Sequence, residues 1–297
     1  MHLARVGADG QHLGSDERHN LGRRSHRRAR RTVTHVDVEG HRLEVRRLAP
    51  THAGLPTLVF LHEGLGCAEL WRGFPQDLAA ATGCGAVVYS RYGYGRSDPF
   101  TEPRTMRYMH EEAARSLPAL LDRLDVAEPL IVGHSDGASI ALLYASAPTR
   151  PVAGLALLAP HVFVEDLSIA GIEAARRAYL EGDLRERLAR YHEDPDATFF
   201  GWNDVWLSPE FRTWNIEEAL GRVTCPALVV QGTADPYGTL AQVRAVAAGV
   251  RGDFGEVTID GCGHAPHLGA PEETLMAVTR FVVRAVALQE DSSTPCT

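Results

Sequence analysis

The pentapeptide Gly133-His134-Ser135-Asp136-Gly137 decides how the rest of the chain is interpreted. It follows an apolar run at 129–132 and precedes a helix-like stretch at 138–145. A strand, a Gly-x-Ser-x-Gly turn and a helix in this order are typical of a sharp turn that exposes a serine hydroxyl at its apex. Glycines at both ends fit, because so tight a turn has no room for larger side chains. The alternative is a glycine-rich turn with an incidental serine, and the flanking strand and helix favour the first interpretation.

Short apolar runs alternate with helical patterns on both sides of this turn. The runs predict strands at 33–38, 43–48, 57–61, 86–89, 129–132, 152–158, 227–230 and 255–259. Apolar residues at helical spacing predict helices at 70–81, 109–124, 138–145, 239–250 and 272–287. Pro118 is expected to kink the second of these helices. Repeated strand–helix units predict an α/β fold with a mostly parallel sheet covered by helices on both faces.

The alternation is interrupted once, and both ends of the chain differ from the rest. Residues 161–221 read as an inserted helical cap on a core formed by 32–160 and 222–288, and they hold three of the four tryptophans. Residues 1–31 are polar and end in an arginine-rich run, which predicts a disordered basic tail. A small basic arm for an acidic partner is the alternative. Residues 289–297 are also predicted to be disordered.

A serine hydroxyl needs a base, and the base needs a third group that fixes its tautomer. Reactive groups gather at the carboxyl ends of parallel strands, so the loops after the strands are the places to search. Asp235 follows the strand at 227–230, and His264 follows the strand at 255–259. Each has an ordinary alternative: Asp235 as a helix cap, and His264 as a surface or packing residue. Together with Ser135 they have the chain order expected of a hydrolase with this type of turn.

Two backbone N–H groups are needed to stabilise the oxyanion of such a reaction. One is expected from Asp136, which follows the serine. The other is expected from the loop after 57–61, where we favour Gly64 over Glu63 because glycine lets the backbone approach a substrate closely.

These motifs together resemble the α/β-hydrolase superfamily over about residues 33 to 287. The resemblance implies an eight-stranded, mostly parallel sheet, Ser135 as nucleophile, His264 as base, Asp235 as acid, and two-step acyl transfer to water without a cofactor or metal. The segments that carry it are His62-Glu63-Gly64, Gly93-Tyr94-Gly95-Arg96-Ser97, the pentapeptide itself, Gly232-Thr233-Ala234-Asp235 and Gly261-Cys262-Gly263-His264-Ala265-Pro266-His267.

The sequence departs from the family pattern at three places. Glu63 stands where a glycine is usual, Ser90-Arg91 where the loop commonly starts with Asp, and Gly269 where an acidic residue is often found. These departures leave the substrate class open. Residues expected to contact the substrate are Glu63, Arg91, His161, Trp202 and Trp206, with Trp214 as a further aromatic residue of the cap. Each has a plainer alternative, which is a solvent-facing arginine, a Glu63–arginine pair, or packing between cap and core.

The leading hypothesis is a serine hydrolase that cleaves a small carboxylic ester or lactone. Alternatives are a C–C bond hydrolase acting beside a ketone and a non-catalytic ligand-binding protein on the same fold. Epoxide and haloalkane hydrolysis are disfavoured, because relatives with those activities use an Asp nucleophile where this chain has Ser135.

Composition excludes several other classes. The net charge of -8 provides no basic field for nucleic acid. Five cysteines without a CxxC pair predict neither a disulfide framework nor a zinc site and favour a cytoplasmic location. No apolar stretch reaches membrane-spanning length, and no signal-peptide core is present. We therefore expect a small-molecule substrate and neither a nucleic-acid nor a membrane partner. A homodimer is a further expectation that does not rest on the composition.

Overall fold

The computed structural model describes residues 34–293, with side chains to residue 288, and an eight-stranded sheet forms its centre. The strands are β1 (Thr34–Val38), β2 (His41–Leu48), β3 (Thr57–Leu61), β4 (Ala86–Tyr89), β5 (Pro129–His134), β6 (Gly154–Leu158), β7 (Ala227–Gly232) and β8 (Phe254–Ile259). Their order is β1-β2-β4-β3-β5-β6-β7-β8, and every pair from β4 onwards is parallel. The predicted eight-stranded, mostly parallel sheet is confirmed.

Helices cover both faces of this sheet. They are α1 (Phe74–Thr82), α2 (Tyr108–Glu111), α3 (Leu117–Arg123), α4 (Asp136–Ser146), α5 (Asp166–Glu181), α6 (Leu184–Leu188), α7 (Pro195–Leu207), α8 (Glu217–Leu220), α9 (Leu240–Gly249), α10 (Pro266–Gly269) and α11 (Pro271–Ser293). Two separate clusters of buried apolar side chains lie on the two faces. Strands buried on both sides explain why the central ones read as continuous apolar runs.

The helices differ from the predicted ones in three places. Helix α1 begins at Phe74 rather than at residue 70, because turns precede it and Arg72 has a positive φ of 56°. The helix predicted at 109–124 is divided into α2, a π-helical turn at Glu112–Ser116, and α3. Pro118 directly follows the π-helical turn inside a helical run that continues from Tyr108 to Arg123, so its missing N–H removes a helical hydrogen bond at the point where the regular α-helix is interrupted.

The two ends of the chain have different outcomes. The final helix was predicted to end at residue 287 with disorder from 289, but α11 continues to Ser293. The prediction of a disordered basic tail at 1–31 lies outside the described residues. Within 34–293, no helix combines the length and the apolar character needed to cross a membrane.

The segment between β6 and β7 is helical and contains α5 to α8. An antiparallel bridge between Phe163 and Asn215 joins the two ends of this segment, and the Ile216 N–H donates to the Val162 carbonyl over 2.8 Å. Two helices of this segment reach the cavity at Ser135: α7 with Trp202 and Trp206, and α5 with Ser168 and Ile172.

Candidate active site

Ser135 occupies a strained turn between β5 and α4. Its φ of 53° and ψ of -118° lie outside the regions that non-glycine residues ordinarily adopt. A Cβ on Gly133 would come within 2.5 Å of the Gly137 carbonyl oxygen, and a Cβ on Gly137 within 2.0 Å of the Leu61 carbonyl oxygen. Both glycines are therefore required by backbone packing, and they allow the turn that sets Ser135 at the end of the sheet.

The three residues predicted to act together are within hydrogen-bond distance of one another. His264 Nε2 lies 2.9 Å from Ser135 Oγ, and His264 Nδ1 lies 2.8 Å from Asp235 Oδ2. A carboxylate only accepts hydrogen bonds, so Nδ1 carries the proton and Nε2 is free to accept from the serine hydroxyl.

Asp235 is held as a carboxylate by its surroundings. Gln231 Nε2 donates to Oδ2 over 2.8 Å, and the Tyr237 N–H donates to Oδ1 over 2.8 Å. Burial would raise the pKa of Asp235, but the hydrogen bond and charge of His264, together with these two donors, outweigh burial and lower the pKa. The acid therefore stays ionised at neutral pH, as an orienting partner of His264 requires.

The loop that follows β3 passes beside Ser135. Gly64 lines the same cavity as Ser135, and the Trp202 indole packs so closely that a Cβ on Gly64 would lie 2.1 Å from Nε1. Asp136 is the first residue of α4, so its N–H has no acceptor within the helix. Gly64 and Asp136, which are predicted to supply the oxyanion donors, thus both line the cavity at Ser135, and their role as donors stays a prediction.

Glu63 pairs with a histidine of the pentapeptide. Its Oε2 lies 3.3 Å from His134 Nδ1, and His134 Nε2 donates to the His264 carbonyl over 2.8 Å. Burial would lower the pKa of His134, but the Glu63 hydrogen bond and charge raise it. Burial would raise the pKa of Glu63, but the hydrogen bond and the charge of His134 outweigh burial and lower the pKa. The pair ties the loop after β3 to the turn at Ser135.

The Asp136 side chain connects the serine turn to the helical segment. Tyr108 OH donates to Asp136 Oδ2 over 2.6 Å, and Trp206 Nε1 donates to Tyr108 OH over 3.0 Å. Burial and the Asp136 charge raise the pKa of Tyr108 well above its usual value, so the phenol keeps its proton. All three side chains are buried.

A cavity of about 120 Å³ opens at Ser135. Of the predicted substrate contacts, Glu63, His161, Trp202 and Trp206 line it. Burial and the His264 charge lower the pKa of His161 to about 3, so this ring is neutral at pH 7. Four lining residues were not predicted, namely Leu65, Ser168, Ile172 and Tyr237. Tyr237 lies only two residues after Asp235, a spacing that provided a signal for it.

Two predicted contacts lie elsewhere. Arg91 was expected to face substrate or, alternatively, solvent, and both expectations are wrong, because the side chain is fully buried against the loop after β3. Trp214 stacks on Phe211, with ring centroids 5.4 Å apart, and does not line the cavity. Among the described side chains, no group of three or more potential ligands has a geometry that fits a metal ion.

Comparison with known proteins agrees with this architecture. A model of the alpha/beta hydrolase family matches residues 58–277. No curated protein matches the sequence significantly. A proline iminopeptidase from Mycobacterium smegmatis is similar in structure, with a TM-score of 0.69, 18% identity, and coverage of 86% of this chain and 98% of that chain.

Two other solved structures are similar to the same extent. An esterase from Exiguobacterium antarcticum has a TM-score of 0.67 at 17% identity, covering 84% of this chain and 99% of that chain. Est816, described as an N-acyl homoserine lactone degrading enzyme, has a TM-score of 0.65 at 22% identity, covering 84% and 100%. Identities this low establish the shared fold alone, whereas the family model spans most of the sequence. The chain therefore belongs to the alpha/beta hydrolase family.

Proposed function

We propose that this protein is a serine hydrolase that cleaves a small carboxylic ester or lactone through an acyl-enzyme. The observation that carries the proposal is the continuous hydrogen-bonded chain from Asp235 through His264 to Ser135, which ends in a cavity. A serine in this setting has a base in contact, and the base has its tautomer fixed.

The reaction begins when Ser135 Oγ attacks the acyl carbon and His264 Nε2 accepts the hydroxyl proton. The negative charge that develops on the acyl oxygen is stabilised by the N–H groups of Asp136 and Gly64. The Asp235 carboxylate stabilises the imidazolium, which then protonates the leaving alkoxide. Water, deprotonated by the same His264, attacks the acyl-enzyme and releases the acid and the free serine.

The size and lining of the cavity favour a small acyl group. Its volume of about 120 Å³ is similar to that of an engineered cavity of about 150 Å³ that holds one benzene. Leu65, Ile172 and the two tryptophans provide apolar walls, and His161 adds a neutral polar group. Similar folds include an esterase and a lactone-degrading enzyme, which is consistent with both substrate types. The helical segment would act as the cap, and a cytoplasmic location completes the proposal.

The test is a fluorophosphonate reaction followed by intact mass, with Ser135→Ala and Ser146→Ala in parallel. Ser146 is a matched control because it is buried at the far end of the same helix. We expect one adduct on wild-type protein and on Ser146→Ala, and none on Ser135→Ala. Nitrophenyl acetate should then be hydrolysed faster than nitrophenyl octanoate.

Two outcomes would overturn the proposal. Absence of an adduct on folded wild-type protein would favour the ligand-binding alternative. Turnover of a 1,3-diketone without ester turnover would favour the C–C hydrolase.

A further inference from the structure

Arg91 is a fully buried cation directly behind the loop that carries Gly64. Its Nη2 donates to the Glu63 carbonyl over 3.0 Å and to the His62 carbonyl over 3.2 Å. Burying an arginine costs desolvation free energy, which hydrogen bonds and charge interactions must offset. A buried arginine at this position therefore suggests a role that an apolar residue could not fill.

The His62 side chain also donates a hydrogen bond to the Glu63 carbonyl. The Arg91 backbone N–H donates to His62 Nε2 over 3.1 Å, so Nε2 is the accepting nitrogen and Nδ1 carries the proton. His62 Nδ1 then donates to the Glu63 carbonyl over 2.8 Å. Burial and the Arg91 charge lower the pKa of His62 well below its usual value, which keeps this tautomer neutral. The Glu63 carbonyl therefore accepts from two buried side chains, and it also accepts from the Gly66 backbone N–H over 3.1 Å.

The direction of this carbonyl determines the direction of the Gly64 N–H. Both belong to one planar peptide unit, and in a trans peptide the C=O and the N–H point in opposite directions. With the carbonyl turned toward Arg91 and His62, the N–H is turned away from both side chains. Gly64 and Ser135 line the same cavity. We propose that Arg91, together with His62, is a positioning residue that presets the oxyanion hole by fixing the Glu63–Gly64 peptide.

The charge of Arg91 adds to this geometry. Among residues 34–293, its Nε and Nη1 have no hydrogen-bond partner, so no carboxylate contacts it directly. It faces the ring of Tyr94 at 4.8 Å and the charges of Asp136 and Glu112 at longer range. A positive charge one peptide unit behind the Gly64 N–H favours negative charge on the reacting oxygen, and the low-dielectric surroundings strengthen that effect.

The inference rests on the proposed hydrolase function, and steady-state hydrolysis of nitrophenyl acetate tests it. Arg91→Met keeps the unbranched aliphatic part of the side chain and removes the guanidinium with its hydrogen bonds and charge. Losing one preset oxyanion donor lowers kcat by about 100- to 1,000-fold. We expect a kcat loss of this order with KM changed less than about threefold, since ground-state contacts in the cavity remain. Arg91→Lys keeps the charge and should lose less than the Met variant.

A transition-state analogue separates positioning from a general structural effect. The Ki of an alkyl boronic acid, which forms a tetrahedral adduct with a serine, should rise in proportion to the loss in kcat/KM. Binding of the corresponding neutral alcohol should stay within about threefold of wild type. If Arg91→Met is not folded, His62→Phe serves instead, because it keeps the ring beside Tyr94 and removes one donor to the Glu63 carbonyl.

The results that overturn the inference differ from those that overturn the proposed function. A folded Arg91→Met variant with wild-type kcat, or with a changed KM alone, refutes the positioning role while wild-type turnover stands. A Lys variant no more active than the Met variant refutes the contribution of the charge. Wild-type protein without turnover or fluorophosphonate labelling refutes the hydrolase function itself.

Discussion

Tyr108→Phe tests the buried connection between the helical segment and the serine turn. The hydroxyl donates to Asp136 Oδ2 over 2.6 Å and accepts from Trp206 Nε1 over 3.0 Å, and the other Asp136 oxygen has no partner within 34–293. A hydrogen bond to a charged group contributes about 1.5–3 kcal/mol, and a buried donor left without an acceptor costs at least about 1 kcal/mol. We therefore expect the free energy of unfolding to fall by about 2.5–4 kcal/mol.

Tyr89→Phe is the matched control. Tyr89 is equally buried and donates to the Glu112 carboxyl over 2.8 Å, but no side chain among the described residues donates to its hydroxyl. This variant loses one hydrogen bond instead of two and leaves no donor unpaired, so its loss should be smaller than that of Tyr108→Phe by about 1 kcal/mol. Urea unfolding followed by circular dichroism measures both variants, with the slope m expected to be unchanged. If Tyr108→Phe costs no more than Tyr89→Phe, the two-bond network adds nothing, and the reasoning is wrong.

Two further predictions concern pH and backbone packing. Because the folded pKa of His134 is raised, the stability that it gains from Glu63 is fully present below about pH 6.5, the unfolded value, and is lost as pH rises through the folded pKa. The difference in unfolding free energy between wild type and His134→Gln should thus be larger at pH 6 than at pH 9, and a pH-independent difference would refute the ion pair. In Gly137→Ala the new Cβ would lie 2.0 Å from the Leu61 carbonyl oxygen, so the free energy of unfolding should fall by at least about 2 kcal/mol or the variant should fail to fold. The control is Gly263→Ala, whose Cβ would have no neighbour within 4 Å and which should change the melting temperature little. Similar melting curves for the two variants would contradict the steric argument.

Most of the sheet could be predicted from the sequence because its buried strands appear as short, continuous runs of apolar residues. Strands β3 and β4 have the predicted bounds, and the others differ by only a few residues at their ends. Helix boundaries were harder to predict. The π-helical turn at Glu112–Ser116 preserves apolar spacing well enough to read as one continuous helix, so periodicity does not reveal it.

The site divides in a similar way. Ser135, Asp235 and His264 lie in the loops that follow strands, so the Gly-x-Ser-x-Gly motif, the chain order and the position after a strand together predict them. The partner of Glu63 is different, since His134 is 71 positions away in the sequence. The pairing of β3 with β5, which sets Leu61 opposite Gly133, brings the two residues together. A single sequence specifies neither this strand order nor its register directly. Arg91 belongs to a loop without periodicity, so nothing local indicates that its side chain turns inward.

Several buried polar side chains around the cavity donate hydrogen bonds to backbone carbonyls. Arg91 binds the Glu63 carbonyl, His134 binds the His264 carbonyl over 2.8 Å, and Ser139 Oγ binds the His161 carbonyl over 2.6 Å. The three carbonyls all belong to residues that line the cavity, and the three donors are buried. A fixed carbonyl fixes its whole peptide plane, and so it limits the orientation of the residues on either side. Polar groups that are costly to bury thereby keep the loops at the serine in one geometry before a substrate arrives, which is the condition under which fixed dipoles lower a reaction barrier.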